Sequence, residues 1–87
     1  GDGNFHFGYL LDPSIPQERI TAEALNHKLV ARALSMGGTC TGEHGVGLHK
    51  MGFLLDETGA GAVDMMRAIK RALDPKNILN PGKIFAL

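Results

Sequence analysis

Two short segments set ionisable side chains among glycines. One is Gly1-Asp2-Gly3-Asn4-Phe5-His6 and the other Gly42-Glu43-His44-Gly45-Val46-Gly47. Glycine permits backbone angles that other residues avoid, and it lets a ligand approach the main chain closely. A carboxylate and an imidazole held between glycines therefore suit positioning better than packing. His6 and Glu43 offer one nitrogen and one oxygen ligand, a mixture that fits zinc or a similar divalent ion. Neither segment is a self-contained metal motif, because the HExxH spacing and paired cysteines are both missing. A plainer reading stands beside this one and is the more economical from spacing alone: Glu43 and His44 are solvated side chains of a flexible loop. His6 also reads as a partly buried strand histidine bonded to a carbonyl, although Gly8 on the same face leaves room beside its ring.

The other reactive types carry less. His27 lies between Asn26 and Lys28 on a helical stretch and is expected to face solvent. His49 is a third possible ligand, but Lys50 beside it favours an exposed polar pair. The single cysteine, Cys40, reads as a small buried filler, since no base is partnered to it. Asn80-Pro81-Gly82 is a good turn in any protein. Lys83 behind it is a surface charge or a contact to a phosphate or carboxylate.

The elements that must position these groups follow from periodicity. Phe5, Phe7, Tyr9 and Leu11 alternate with His6, Gly8 and Leu10, which predicts a strand over 5–11 with one face on a core. Asp12-Pro13 ends it. Ser14 and Gln17 have capping-box spacing and Pro16 lies just inside a helix expected from Pro16 to Met36. Ile20, Ala24, Ala31 and Leu34 form one apolar stripe, and Leu25, Leu29 and Met36 a neighbouring one. Gly37-Gly38 supplies a left-handed stop. Residues 37–47 are too glycine-rich for regular structure, and a short helical turn is expected around Met51–Leu55. A further helix runs from near Gly61 to Leu73, burying Val63, Met66, Ile69 and Leu73. Lys70 and Arg71 complement its dipole, and Asp74-Pro75 closes it. The tail NILNPGKIFAL is a docking arm or a short strand.

With 87 residues the chain suits one small domain, which buries only about 60–65% of the surface its unfolded chain exposes. Hydrophobic residues make up 44% and charged ones 21%, a globular composition and not a disordered one. Nine basic residues balance nine acidic ones, with no basic block longer than Lys70-Arg71, so charge gives no reason to expect a nucleic-acid partner. One cysteine excludes an internal disulfide framework. No apolar run approaches the ~20 residues of a membrane helix, and no secretory leader is visible. One strand cannot satisfy its own backbone. Its sheet is therefore expected to be completed by sequence outside the chain or by a partner chain.

Taken in order, GDGNFH, GGTCTGEHGVG and IKRALDPKNILNPGK resemble the C-terminal end of the FAD-linked oxidase family, of the D-lactate dehydrogenase, glycolate oxidase FAD subunit and D-2-hydroxyglutarate dehydrogenase type. The resemblance covers nearly the whole chain. It implies an α+β fold in which residues 1–87 are the end of a cap domain, with two main helices, one or two strands of a ferredoxin-like antiparallel sheet, and a flavin-proximal tail. The FAD-binding domain would lie outside this chain, which by itself is expected to be inactive and to hold flavin weakly. The implied reaction is oxidation of a D-2-hydroxy acid to the 2-oxo acid by hydride transfer to FAD. In metal-dependent members, the His after GDGN, a His two residues before it and the Glu of GEHG hold a divalent ion. Here His6 and Glu43 match two of these ligands, the third would precede Gly1, and zinc or manganese is the expected metal. His44 matches the proposed base. Asn80 matches a position near flavin and substrate, with Lys83 a candidate cofactor contact. A small 2-hydroxy acid is the implied substrate, and the electron acceptor is open. A cytoplasmic location, or one peripheral to a membrane, is expected for the full-length protein.

Two further readings remain open. In one the flavoprotein uses no metal, and His6 and His44 contact substrate or flavin directly. In the other the chain is a non-catalytic interaction domain whose lone strand pairs with a partner, so that the isolated chain dimerises through that strand or through apolar contact.

Overall fold

A computed structural model describes residues 3–87, so Gly1 and Asp2 of the first motif lie outside the described residues. The chain divides into two compact units, one ending at Gly42 and the other spanning Glu43–Leu87. Three helices make up the regular structure: α1 (Pro16–Ser35), α2 (Met51–Thr58) and α3 (Ala60–Leu73).

In the first unit the expected strand over 5–11 does not form, and among the described residues there is no sheet at all. The ferredoxin-like α+β expectation is therefore corrected to an all-helical one, and with it goes the reading of a lone strand that recruits a partner. The physical reason is that alternation specifies which side chains share a face, while a strand also needs a second backbone for its ladder. The shared face is present only in part, because Phe5, Phe7 and Leu11 are exposed and no core covers them. Phe7 and Tyr9 contact edge to face, with ring centroids 5.1 Å apart. Phe7, Tyr9, Leu11 and Pro13, all of one parity, line one wall of a groove of about 480 Å³, and Arg19, Ala22, Glu23 and Asn26 of α1 line the other.

The start of α1 also differs in detail. Pro16 is the first helical residue, but Ile15 occupies the N-cap and provides no side-chain cap. Ser14 turns away instead, donating from its amide and hydroxyl to Asp12 Oδ1 (2.9 and 2.7 Å). These two bonds, the hydroxyl first, hold the Asp12 carboxyl below its ordinary pKa. Glu18 closes the turn by accepting the Asp12 amide at 2.5 Å. At the other end the stop is as expected. The Gly38 amide reaches the Ala33 carbonyl at 2.8 Å and the Gly37 amide reaches Leu34 at 3.1 Å, with Gly37 at φ 81°. This is the Schellman pattern, whose left-handed position glycine fills without Cβ strain. Neither expected stripe of α1 is buried: Leu34 of the first and Leu29 of the second are half-buried, along with Ala22, Asn26, Val30 and Ala33, while Ile20, Ala24, Ala31, Leu25 and Met36 are exposed.

In the second unit α2 and α3 pack together across Gly59, and Phe53, Leu54 and Val63 supply the buried apolar side chains. Val63 and half-buried Met66 match expectation, whereas Ile69 and Leu73 are exposed. An apolar face is a necessary condition for burial and not a sufficient one. α2 is longer than the single turn expected, because the Lys50 and Gly59 amides extend the ladder at its two ends.

Candidate functional site

The glycine loop carries its two ionisable groups side by side. His44 Nε2 lies 3.3 Å from Glu43 Oε1, and both side chains are largely exposed. Left-handed backbone at Gly45 (φ 76°) and Gly47 (φ 56°) turns the chain sharply after the pair. Residues with a Cβ enter these angles only at a cost, which is why the loop is written in glycine. The loop then feeds α2 through the bond from the Lys50 amide to the Val46 carbonyl at 3.3 Å.

The donor chemistry fits a divalent ion. Glu43 offers such an ion a carboxylate oxygen, and its approach to His44 Nε2 also suits a carboxylate that orients an imidazole. His6, the other expected ligand, is exposed in the first unit, while Glu43 and His44 open the second.

The first motif contributes a residue that the spacing argument passed over. A Cβ built on Gly42 would lie 2.5 Å from Asn4 Oδ1 and 2.8 Å from Asn4 Nδ2. The Asn4 side chain therefore occupies the place where a side chain at 42, one residue before Glu43, would stand. A signal was present in the sequence: both motifs hold a glycine next to a polar residue, the usual mark of close backbone approach.

The tail also comes to the loop. The Ile84 amide donates to the Gly47 carbonyl at 2.8 Å. Asn80 (φ 46°), Gly82 (φ 73°) and Ile84 (φ 70°) are all left-handed, so the expected NPG turn is real but more contorted than a simple reverse turn. Positive φ is tolerated by asparagine and is an outlier for a β-branched residue such as Ile84. Asn80 and Lys83 are both exposed. The turn is fastened to α3 by Asp74, which is buried and accepts the Ile78 and Leu79 amides at 3.1 and 2.9 Å. Lys70 donates to Asp74 Oδ2 and to the Leu79 carbonyl. The Lys70 bond first, then the Leu79 and Ile78 amides, lower the Asp74 pKa to about 2. Lys70 lies in the last turn of α3, as the dipole favours, and its side chain also spans from helix to tail. Cys40 is buried, in keeping with a packing role.

Comparison with known proteins follows from these same segments. The profile of the FAD linked oxidases, C-terminal domain, matches residues 1–84. The chain belongs to that family. Among curated proteins it is similar to the mitochondrial D-lactate dehydrogenase [cytochrome] of Arabidopsis thaliana, 56% identical over 84 residues, covering 97% of this chain and 15% of the relative. It is 47% identical over 87 residues to the probable mitochondrial D-lactate dehydrogenase of Danio rerio, covering all of this chain and 18% of that protein. The glycolate oxidase subunit GlcD of Bacillus subtilis is 43% identical over 86 residues, which cover 99% of this chain and 18% of GlcD. The chain thus spans less than a fifth of the length of each of these relatives. No helix among the described residues is long and apolar enough to cross a membrane.

Proposed function

We propose that the chain is the C-terminal part of a flavoprotein that oxidises a small D-2-hydroxy acid to the 2-oxo acid. The observation that carries this is the ordered set of GDGNFH, GEHGVG and LNPGK within a stretch 56% identical to a D-lactate dehydrogenase. Bound FAD would supply the hydride acceptor, and a divalent ion the Lewis acid that stabilises a developing alkoxide. His6 and Glu43 are the residues of this chain that would hold the ion. His44 takes the hydroxyl proton as the general base. Asn80 and Lys83 lie on the tail that meets the glycine loop and are proposed to face the flavin and substrate.

A second reading dispenses with the ion. The direct approach of Glu43 Oε1 to His44 Nε2 at 3.3 Å supports it, since a carboxylate that fixes an imidazole's tautomer needs no metal. Metal analysis of the full-length flavoprotein separates the two. Glu43→Gln lowers bound zinc or manganese under the first reading and leaves it unchanged under the second. The overall proposal is tested by anaerobic flavin bleaching of that protein with lactate, glycolate and 2-hydroxyglutarate. Flavin that stays oxidised with every D-2-hydroxy acid overturns it. The relatives named mitochondrial make the expected cytoplasmic location a proposal for fractionation to decide.

A further inference from the structure

The tail of the second unit is fastened on both sides of its most contorted stretch. Before Asn80, Lys70 bonds the Leu79 carbonyl and Asp74, while Asp74 accepts the amides of Ile78 and Leu79. After Lys83, Arg67, on the same face of α3 and one turn earlier than Lys70, donates from Nε to the Ala86 carbonyl at 2.5 Å. Its own fork is steadied by Asp64, 2.7 Å from Nη1. Between the two anchors the backbone is left-handed at Asn80, Gly82 and Ile84, and the Ile84 amide reaches the Gly47 carbonyl.

An isoleucine persists at φ 70° only where its surroundings over-determine it. The two cationic anchors provide that. The strained amide is also the backbone tie that reaches the glycine loop from the far end of the unit, three residues beyond His44. Without it, a loop with glycine at 45 and 47 has many accessible conformations.

We propose that Arg67 and Lys70 are positioning residues: by fixing the tail to α3 they aim the Ile84 amide at Gly47 and so hold the loop that presents Glu43 and His44. This rests on the reading above that Glu43 and His44 belong to the reacting centre. Neither anchor touches that centre, and each acts through the tail.

The test is hydrogen exchange and kinetics on the flavin-loaded full-length protein with Arg67→Ala. The Ile84 amide, bonded to the Gly47 carbonyl, and the Lys50 amide, bonded to the Val46 carbonyl, are expected to exchange at least about 10-fold faster, while those of Gly59 and Val63 keep their protection. Flavin reduction should slow by roughly 10- to 100-fold with KM changed less than about twofold, as misplacement of reacting groups does. Arg67→Lys retains a donor toward Ala86 and should recover part of both effects. The proposal is overturned if the Lys50 amide stays protected once Ile84 is released, or if protection is lost throughout α2 and α3 together. If no 2-hydroxy acid reduces the wild-type flavin, the functional reading fails by itself, and the exchange data still decide whether the tail holds the loop.

Discussion

The Asp74 carboxylate gathers two backbone amides and the Lys70 ammonium at the end of α3. With its folded pKa near 2, against an ordinary 3.8, it contributes stability that is full above about pH 4 and lost as the pH falls through about 2. Denaturant midpoints measured across that window should therefore fall steeply for the wild type and less for Asp74→Asn, the two converging at the acid end. At His44 the expected consequence is kinetic. His44→Asn should lower the rate of flavin reduction by roughly 10²–10⁴-fold, the worth of a general base, with flavin content unchanged. Rapid-reaction absorbance at the flavin band would measure it, and an unchanged rate would remove His44 from the reaction. These residues differed in how readable they were. Glu43 and His44 stood out because glycine surrounded them. Asp74 read only as a helix stop, because its amide partners, four and five residues on, come back to it through a turn that no periodicity announces.

At the scale of elements, helices were readable and pairing was not. The ends of α1 were marked by Pro16 and Gly37, and α3 by its apolar period and Asp74-Pro75. Each of these signals is local, so each survived. The 5–11 segment kept Phe7, Tyr9 and Leu11 along one groove wall and lost its ladder, because hydrogen-bond partners for a strand are supplied from elsewhere. Gly37→Ala tests the local kind of signal. Forcing a Cβ into φ 81° should cost about 1 kcal/mol, read as a lower denaturant midpoint. Leu54→Ala tests the packed kind. It removes one of the few buried side chains between α2 and α3 and should cost about 2–5 kcal/mol. Against a total of about 0.1 kcal/mol per residue, that is a large share of the stability.

The whole molecule shows much apolar surface for its size. Phe5, Phe7, Leu10, Ile20, Ile69 and Leu73 are all more than half exposed. Which of the apolar stripes would be covered could not be read from the stripes themselves, since cover is a property of the neighbouring surface. The chain expressed alone should therefore associate as its concentration rises, with the apolar side chains of both units as the cause. Sedimentation velocity over a hundredfold range of concentration would show this as a rising weight-average coefficient. A constant monomeric value would mean that the exposed side chains find cover within the chain in solution.

The contact between Asn4 and Gly42 makes two positions far apart in sequence answer to one another. A methyl group added at Gly42 displaces the Asn4 amide, and a smaller residue at position 4 vacates the same space. In a selection for growth on a 2-hydroxy acid, a strain crippled by Gly42→Ala should regain fitness through second-site revertants at codon 4, with serine or glycine replacing asparagine. Genetic suppression would then report a distance of a few ångströms.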